Sequence, residues 1–163
     1  MKLYFLRHGV AEDAAPGQSD AERRLTPEGA ATMKEEAAAI RRLNLKLQAI
    51  VTSPLPRASE TARIVAQALG DPGLVRSDPR LAWGFGLVDL QDLLAGLEGL
   101  ERVMLVGHQP SLGAIAGALA GASPIDIKKG GLCRLSTARV EPGAAVLEWL
   151  LPPSVLALAG GKR

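Results

Sequence analysis

The sequence predicts an α/β fold, a three-layer α/β/α arrangement with helices covering both faces of a mostly parallel central sheet. Short apolar runs alternate along the chain with longer stretches of helical spacing, which is typical of this class. The length of 163 residues, with 47% hydrophobic and 22% charged residues, predicts one globular domain over residues 1–163. Polar clusters directly follow three of the apolar runs, as ligand-binding residues do in open parallel sheets.

The chain opens with a strand, a loop and a helix. Residues 3–6 form an apolar run that predicts the first strand, and the polar segment 9–25 predicts a loop. Thr26 and Pro27 together are typical of a helix start, because a hydroxyl caps the free N–H groups and proline suits the first helical position. The Ala-, Lys- and Glu-rich sequence that follows predicts helix to residue 43.

A second strand and helix follow the same pattern. Residues 49–52 are apolar and predict a buried strand. Ser53 and Pro54 repeat the combination of cap and proline, so the sequence predicts that the next helix begins there. Small and apolar residues recur on one face of this helix, and Gly70 is expected to end it.

The second half of the chain continues the alternation and then closes with a hairpin. The predicted elements are a short strand, a helix, a strongly apolar strand, a helix of small residues and two hairpin strands, over residues 74–76, 87–97, 102–106, 112–121, 132–140 and 145–150. Glu141, Pro142 and Gly143 are typical of the hairpin turn. A short helix is expected from Pro152 onward. The hairpin predicts antiparallel strands added to the parallel sheet.

Composition excludes several classes of partner. The net charge of +2 argues against a nucleic-acid partner. The longest apolar stretch, residues 112–122, is too short to span a membrane, and the opening residues are too few for a signal peptide, so no membrane partner is expected. Cys133 is the chain's one cysteine, which excludes an intramolecular disulfide and predicts a cytoplasmic location. We expect Cys133 itself to be a small core residue.

Three polar clusters carry the candidate chemistry. Arg7 and His8 follow the first predicted strand, Arg57 follows the second, and His108 follows the third strongly apolar one. Because the carboxyl ends of parallel strands meet at one edge of a sheet, we expect these four side chains to converge. Guanidinium groups suit phosphate oxygens, and imidazoles act as nucleophiles or proton carriers near neutral pH. The combination predicts phosphate chemistry on histidine that needs no metal or other cofactor.

Other interpretations of the same residues remain open at this point. Taken alone, Arg57 is more often a solvated surface charge than a ligand-binding group. The two histidines, with a carboxylate from the loop over residues 12–22, would form a zinc site, although the neighbouring arginines repel a dication. A phosphate-binding module without catalytic activity is a third alternative.

The same motifs resemble a known family. Arg7-His8-Gly9 near the start, Ser53-Pro54 with Arg57 after it, and Gly107-His108 late in the chain resemble the histidine phosphatase superfamily, also called phosphoglycerate-mutase-like. The resemblance covers essentially the whole chain. The short length, the loop over residues 19–29 and the closing residues 149–153 resemble the SixA-type phosphohistidine phosphatase branch.

The resemblance implies a phosphatase that works through a phosphorylated histidine. His8 would be the nucleophile, and Arg7, Arg57 and His108 would complete the phosphate pocket. It also implies substrate-binding roles for a second set of residues, Gly9, Ser53, Asp20 and Arg23. The implied substrate is phosphohistidine on a protein, such as a histidine-containing phosphotransfer domain, and a small phosphorylated compound is the alternative.

Two departures from the family pattern bear on the substrate. Val10 and Ala11 stand where many relatives have an acidic or amide residue and then a hydroxyl. Arg80 stands where mutases and many acid phosphatases carry a carboxylic acid, and Asp78 lies two residues away. The missing acid favours phosphohistidine over sugar phosphates, because imidazole leaves more easily than an alkoxide. Three loop carboxylates remain candidates for the acid, Asp20, Glu12 and Glu22.

Overall fold

The computed structural model describes residues 1–160, in which helices cover both faces of one six-stranded sheet. The strands are β1 (Lys2–Arg7), β2 (Ala49–Thr52), β3 (Val75–Ser77), β4 (Arg102–Gly107), β5 (Leu132–Thr137) and β6 (Ala145–Leu151). The helices are α1 (Pro27–Arg42), α2 (Pro56–Leu69), α3 (Leu87–Ala95), α4 (Ser111–Leu119) and α5 (Pro153–Gly160). This is the predicted three-layer α/β/α fold. Among residues 1–160 no helix combines the length and the apolarity needed to cross a bilayer.

The sheet is parallel in one half and antiparallel in the other. Its strand order is β3-β2-β4-β1-β5-β6. The pairs β3/β2, β2/β4 and β4/β1 are parallel, whereas β5 pairs antiparallel with β1 and β6 pairs antiparallel with β5. The mostly parallel sheet with a closing antiparallel hairpin therefore confirms the predicted architecture.

The sheet separates two apolar cores, and β1 contributes to both. Leu3 and Phe5 pack on the face covered by α3 and α4, whereas Tyr4 and Leu6 pack on the face covered by α1, α2 and α5. Successive side chains of a strand point to opposite faces, so a strand covered on both sides must be apolar at every position. This explains the uninterrupted apolar run at the start of the chain.

Pairing between the central strands brings the ends of β1, β2 and β4 together. Arg7 at the end of β1 stands beside Gly107 at the end of β4, and the backbone N–H of His8 donates to the Gly107 carbonyl (3.1 Å). The backbone N–H of Ser53, just after β2, donates to the Val106 carbonyl (2.9 Å). The residues that follow these strands consequently share one edge of the sheet.

Several predicted boundaries differ from the structure, and two of them have a clear local cause. Helix α2 begins at Pro56 rather than Pro54, with Leu55 at the N-cap and no side-chain cap, because the Ser53 hydroxyl is used elsewhere. Strand β5 ends at Thr137 rather than residue 140. There the Thr137 hydroxyl accepts the N–H of Arg139 (3.1 Å), which turns the backbone out of the sheet.

Candidate active site

A pocket of about 460 Å³ lies at the carboxyl ends of β1 and β4. The four side chains expected to converge all line it, as do two residues of the loop before α1; in chain order they are Arg7, His8, Asp20, Arg23, Arg57 and His108. Ligand pockets of open α/β sheets are expected at this edge. The pocket therefore combines two imidazoles, three guanidinium groups and one carboxylate from this set.

His8 is a neutral base with a defined tautomer. Its ring is buried, with the residue only 6% exposed, and Nδ1 lies 2.7 Å from the carbonyl oxygen of Gly9. A carbonyl only accepts hydrogen bonds, so Nδ1 carries the proton and the lone pair is on Nε2. Burial, together with the nearby His108, Arg57 and Arg7, lowers the pKa of His8 from 6.5 to about 3. At neutral pH this imidazole is uncharged and nucleophilic.

His108 faces His8 across the site. The ring centroids are 5.2 Å apart, and the ring planes are tilted by 54°. Nε2 of His108 shares a hydrogen bond of 2.9 Å with the hydroxyl of Ser53. Burial, followed by the charge of Arg57, lowers the pKa of His108 to about 4, so this ring is also neutral near pH 7.

Two guanidinium groups are fixed beside the imidazoles. Nη1 of Arg7 donates to the carbonyl of Ile127 (3.0 Å), and burial lowers the pKa of Arg7, although an arginine remains charged at neutral pH. Arg57, only 4% exposed, donates to the backbone carbonyl (2.7 Å) and to Oδ2 (2.9 Å) of Asp20. Among residues 1–160, Nε of Arg7 and Nε of Arg57 have no hydrogen-bond partner. The site thus holds donor capacity that the described protein atoms do not use.

Asp20 is held in its ionised form. Its carboxylate accepts from Nη1 of Arg23 (2.7 Å) as well as from Arg57. The Arg23 hydrogen bond and the charge of Arg57 lower the pKa of Asp20 below its usual value. Glu12 and Glu22, the other two candidate acids, do not line the pocket. Within residues 1–160 the pocket therefore has one carboxylate, and that carboxylate is a poor proton donor.

The residue positions that depart from the family pattern also supply no acid. Arg80 and Asp78 pair with each other, through Nε (2.9 Å) and Nη2 (2.6 Å) of the arginine, and neither lines the pocket. The zinc interpretation lacks ligands as well. In the part of the chain that the structure describes, no three His, Cys, Asp or Glu side chains are grouped as a metal site requires.

Two residues predicted to bind substrate do not line the pocket. Gly9 donates its N–H to the hydroxyl of Thr61 (3.1 Å), and its carbonyl accepts from His8. Ser53 is fully buried, where its hydroxyl contacts His108 and accepts the N–H of Leu55 (3.2 Å). Both use their polar groups to hold other parts of the site, so direct contact with substrate is not expected of either.

Several residues that line the pocket have no role in the sequence prediction, among them Trp83, Lys129 and Gln109. Trp83 lines the pocket, is 62% exposed, and lies nearly parallel to the His108 ring, with an interplanar angle of 13° and centroids 6.4 Å apart. Lys129 adds another cation. Gln109 braces the loop after β4 by donating to the Ile125 carbonyl (2.9 Å). For Trp83 a signal existed, since it is one of two tryptophans and stands in a glycine-containing loop.

Comparison with known proteins supports a single family. The histidine phosphatase superfamily (branch 1) matches residues 3–91, which include Arg7, His8 and Arg57. An uncharacterized protein of Picosynechococcus sp. is 36% identical over 93% of this chain and 100% of its own length. The phosphohistidine phosphatase SixA of Escherichia coli is 27% identical over 98% of each chain.

Solved structures extend this likeness to the fold. The protein histidine phosphatase SixA complexed with tungstate superposes with a TM-score of 0.84 and 25% identity, over 96% of this chain and 99% of that one. The α-ribazole phosphatase of Shigella flexneri, at 16% identity, shares the fold with a TM-score of 0.74 over 94% of this chain and 97% of its own. The architecture is therefore common to phosphatases of proteins and of small molecules.

Proposed function

Because the chain belongs to the histidine phosphatase superfamily and is a phosphatase, we propose that it hydrolyses phosphohistidine on proteins through a phosphorylated His8. One observation carries the proposal. A neutral imidazole with a free Nε2 lone pair lines a pocket bordered by two fixed guanidinium groups, and that pocket lacks a carboxylic acid among the described residues.

His8 supplies the nucleophile. Its Nε2 lone pair attacks phosphorus, so a P–N bond to His8 forms as the P–N bond to the substrate imidazole breaks. Water then attacks the phosphorus of phospho-His8, which releases inorganic phosphate and restores the neutral ring. The hydrogen bond from Nδ1 to the Gly9 carbonyl keeps the proton on the far side of the ring through both steps.

The remaining cationic and imidazole groups stabilise the transferring phosphoryl group. Its equatorial oxygens carry the negative charge, and Arg7 and Arg57 offer paired N–H donors to such oxygens without needing a metal ion. His108, whose ring centroid lies 5.2 Å from that of His8, adds a second imidazole at the same centre. Because these groups are held by contacts with Ile127, Asp20 and Ser53, little reorganisation is required as charge develops.

The leaving group decides the substrate class. An alkoxide leaves from phosphorus only with a proton from a nearby acid, and the pocket offers Asp20 in ionised form. The imidazole of a phosphohistidine instead takes a proton from water at its second nitrogen near neutral pH and leaves as a neutral base. The chemistry of the site therefore favours a P–N bond over the C–O–P bond of a sugar phosphate.

The other predicted substrate residues act indirectly in this proposal. Asp20 orients Arg57 and Arg23, with the latter at the pocket rim. Gly9 and Ser53 orient the two imidazoles. The likeness to the SixA proteins supports a phosphorylated protein, such as a histidine-containing phosphotransfer domain, as the partner. A cytoplasmic location, expected from the single cysteine, is part of the proposal.

Trapping the intermediate tests the mechanism. The protein is mixed with a ³²P-labelled phosphotransfer domain, quenched within milliseconds, and digested for mass spectrometry under alkaline conditions, which preserve phosphohistidine. We expect label on the peptide containing His8. His8→Ala should carry no label and lose turnover, while its urea unfolding midpoint stays close to that of the wild type. His108→Ala should retain label but react more slowly, by about 2–4 kcal/mol in activation free energy.

Substrate preference is measured in parallel on a phosphohistidine peptide, a phosphoserine peptide, glycerol 3-phosphate and a sugar phosphate. A preference of at least 100-fold for the P–N substrate is expected. Comparable kcat/KM values on the P–N and alkyl substrates would favour a small-molecule phosphomonoesterase. Tungstate binding without any turnover would indicate a phosphate-binding module. Labelling of a residue other than His8 would refute the assigned nucleophile.

A further inference from the structure

Trp83 stands at the pocket without a role in the fold that accounts for its position. Among the large apolar residues that are exposed in the described part of the chain, Trp83 is the one aromatic residue, and 62% of its surface is accessible. Its indole lines the same pocket as His8 and His108. Aromatic side chains that line a pocket supply apolar surface for a bound ligand.

The backbone around Trp83 is anchored on both sides. Leu81 and Phe85, two residues before and two after, are both buried in the core on the α3 and α4 face. Gly84 adopts a left-handed conformation (φ +65°) that lets the chain turn between these anchors. The N–H of Gly86 donates to Oδ2 of Asp89 (2.9 Å), which fixes the loop to the start of α3. With the backbone turning at Gly84, the Trp83 side chain lines the pocket while Leu81 and Phe85 are buried in the core.

The direction of the reaction brings the leaving group toward this indole. In-line transfer places the leaving atom opposite the attacking Nε2 of His8. His8 is 6% exposed and lies deep in the site, whereas Trp83 is largely open to solvent, so a group leaving away from His8 passes toward the exposed rim. Of the rim side chains, Trp83 offers the large flat apolar surface, and Arg23 and Lys129 offer charge.

We infer that Trp83 is a specificity-determining residue that stacks on the leaving group and so selects phosphoryl compounds whose leaving group is a planar ring. This inference rests on the proposed function, in which the ring is the imidazole of phosphohistidine. Stacking of an aromatic pair contributes beyond simple burial and favours an offset-parallel or edge-to-face arrangement. The Trp83 indole, already nearly parallel to the His108 ring, has an exposed surface available for such contact.

Two matched substrate pairs separate the effect of the ring on the rate from the effect of the bond that is broken. Phosphoimidazole and phosphoramidate both contain a P–N bond, but the first has a ring and the second has none. Phenyl phosphate and ethyl phosphate make the same comparison for a P–O bond. The variants are Trp83→Ala, Trp83→Phe and, as the matched control, Trp149→Phe, which alters a tryptophan that packs against Tyr4 away from the pocket.

Trp83→Ala should lower kcat/KM for phosphoimidazole by about threefold to tenfold, while kcat/KM for phosphoramidate changes less than twofold. Trp83→Phe should recover most of the loss, and Trp149→Phe should leave the ratio between the two substrates unchanged. An equal loss on both P–N substrates would assign Trp83 a structural role and overturn the inference, as would no loss on either.

The test of Trp83 can fail or succeed independently of the test of the proposed function. If the wild-type protein prefers P–O over P–N substrates, or if His8→Ala remains active, the proposed function fails. The ratio of kcat/KM for phenyl phosphate to that for ethyl phosphate still tests Trp83 in that case. A ratio that falls in Trp83→Ala supports ring selection, and a ratio that does not change refutes it.

Discussion

Replacing Glu36 with glutamine is expected to remove a large pH dependence of stability. Glu36 lies in α1, is 2% exposed, and its Oε2 has no hydrogen-bond partner among residues 1–160. Its carboxyl group packs directly on Gly130. The N–H of Gly130 in turn donates to the carbonyls of Arg7 and His8, each at 3.1 Å. The buried carboxyl group therefore contacts Gly130, whose N–H is bonded to the backbone of the proposed nucleophile.

The size of this pH dependence follows from the protonation of Glu36. Burial, with the nearby charge of Glu35 adding to it, raises the pKa of Glu36 from 4.5 to about 8. Between these values the folded state keeps a proton that the unfolded state has lost. The resulting stabilisation is fully present below pH 4.5 and is lost as the pH rises through 8. At 1.36 kcal/mol per pKa unit, and allowing for partial solvent screening, the loss between pH 5 and 7 is about 2 kcal/mol.

The assay is urea unfolding of the wild type, Glu36→Gln and Glu28→Gln at pH 5, 6, 7 and 8. Glutamine at position 36 has the same shape and no ionisation, so its stability relative to the wild type should rise by about 2 kcal/mol from pH 5 to 7. Glu28→Gln makes the same chemical change at an exposed position of the same helix and should follow the wild type. The depressed pKa values of His8 and His108 act in the opposite direction but cancel in each comparison. Parallel curves for Glu36→Gln and the wild type would refute the reasoning.

Three further predictions concern the site and its support. Burial and neighbouring charges lower the pKa of His8 to about 3. The value of kcat/KM, corrected for substrate ionisation, should therefore stay constant from pH 7 to 5 and fall only as the pH approaches 3. A fall in kcat/KM near pH 6.5 would contradict this. Arg57→Lys should weaken tungstate binding by about 10- to 100-fold in calorimetry, since lysine cannot form paired hydrogen bonds, whereas Arg76→Lys on the exposed face of β3 should bind normally. Gly130→Ala should lower the free energy of unfolding by about 1–2 kcal/mol more than Gly143→Ala: both glycines have positive φ, but only at position 130 of the two does a methyl group meet a buried side chain. Equal costs at the two positions would rule out the close packing.

Local signals were sufficient for most of the elements. The N-cap at Thr26 accepts the N–H of Gly29 (2.8 Å) and Pro27 is the first residue of α1, because capping depends on residues within one turn. The start of α2 was misplaced because Pro54 and Pro56 carry the same local signal. What separates them is the Ser53 hydroxyl, which bonds to a histidine 55 residues away instead of capping a helix.

The sequence by itself determined the layered α/β architecture, the strand ends that carry arginine and histidine, and the family. Periodicity, helix caps and motifs depend on residues that are neighbours in the chain. The order of strands and helices then places the motifs at one edge of a parallel sheet. Only the tertiary structure decided that His8 is neutral with its lone pair on Nε2, that Asp20 is bound to Arg57 across 37 positions, and that Trp83 faces the pocket. Burial and electrostatic fields come from atoms distant in the chain, so pKa values, tautomers and exposure arise only once the fold has brought those atoms together.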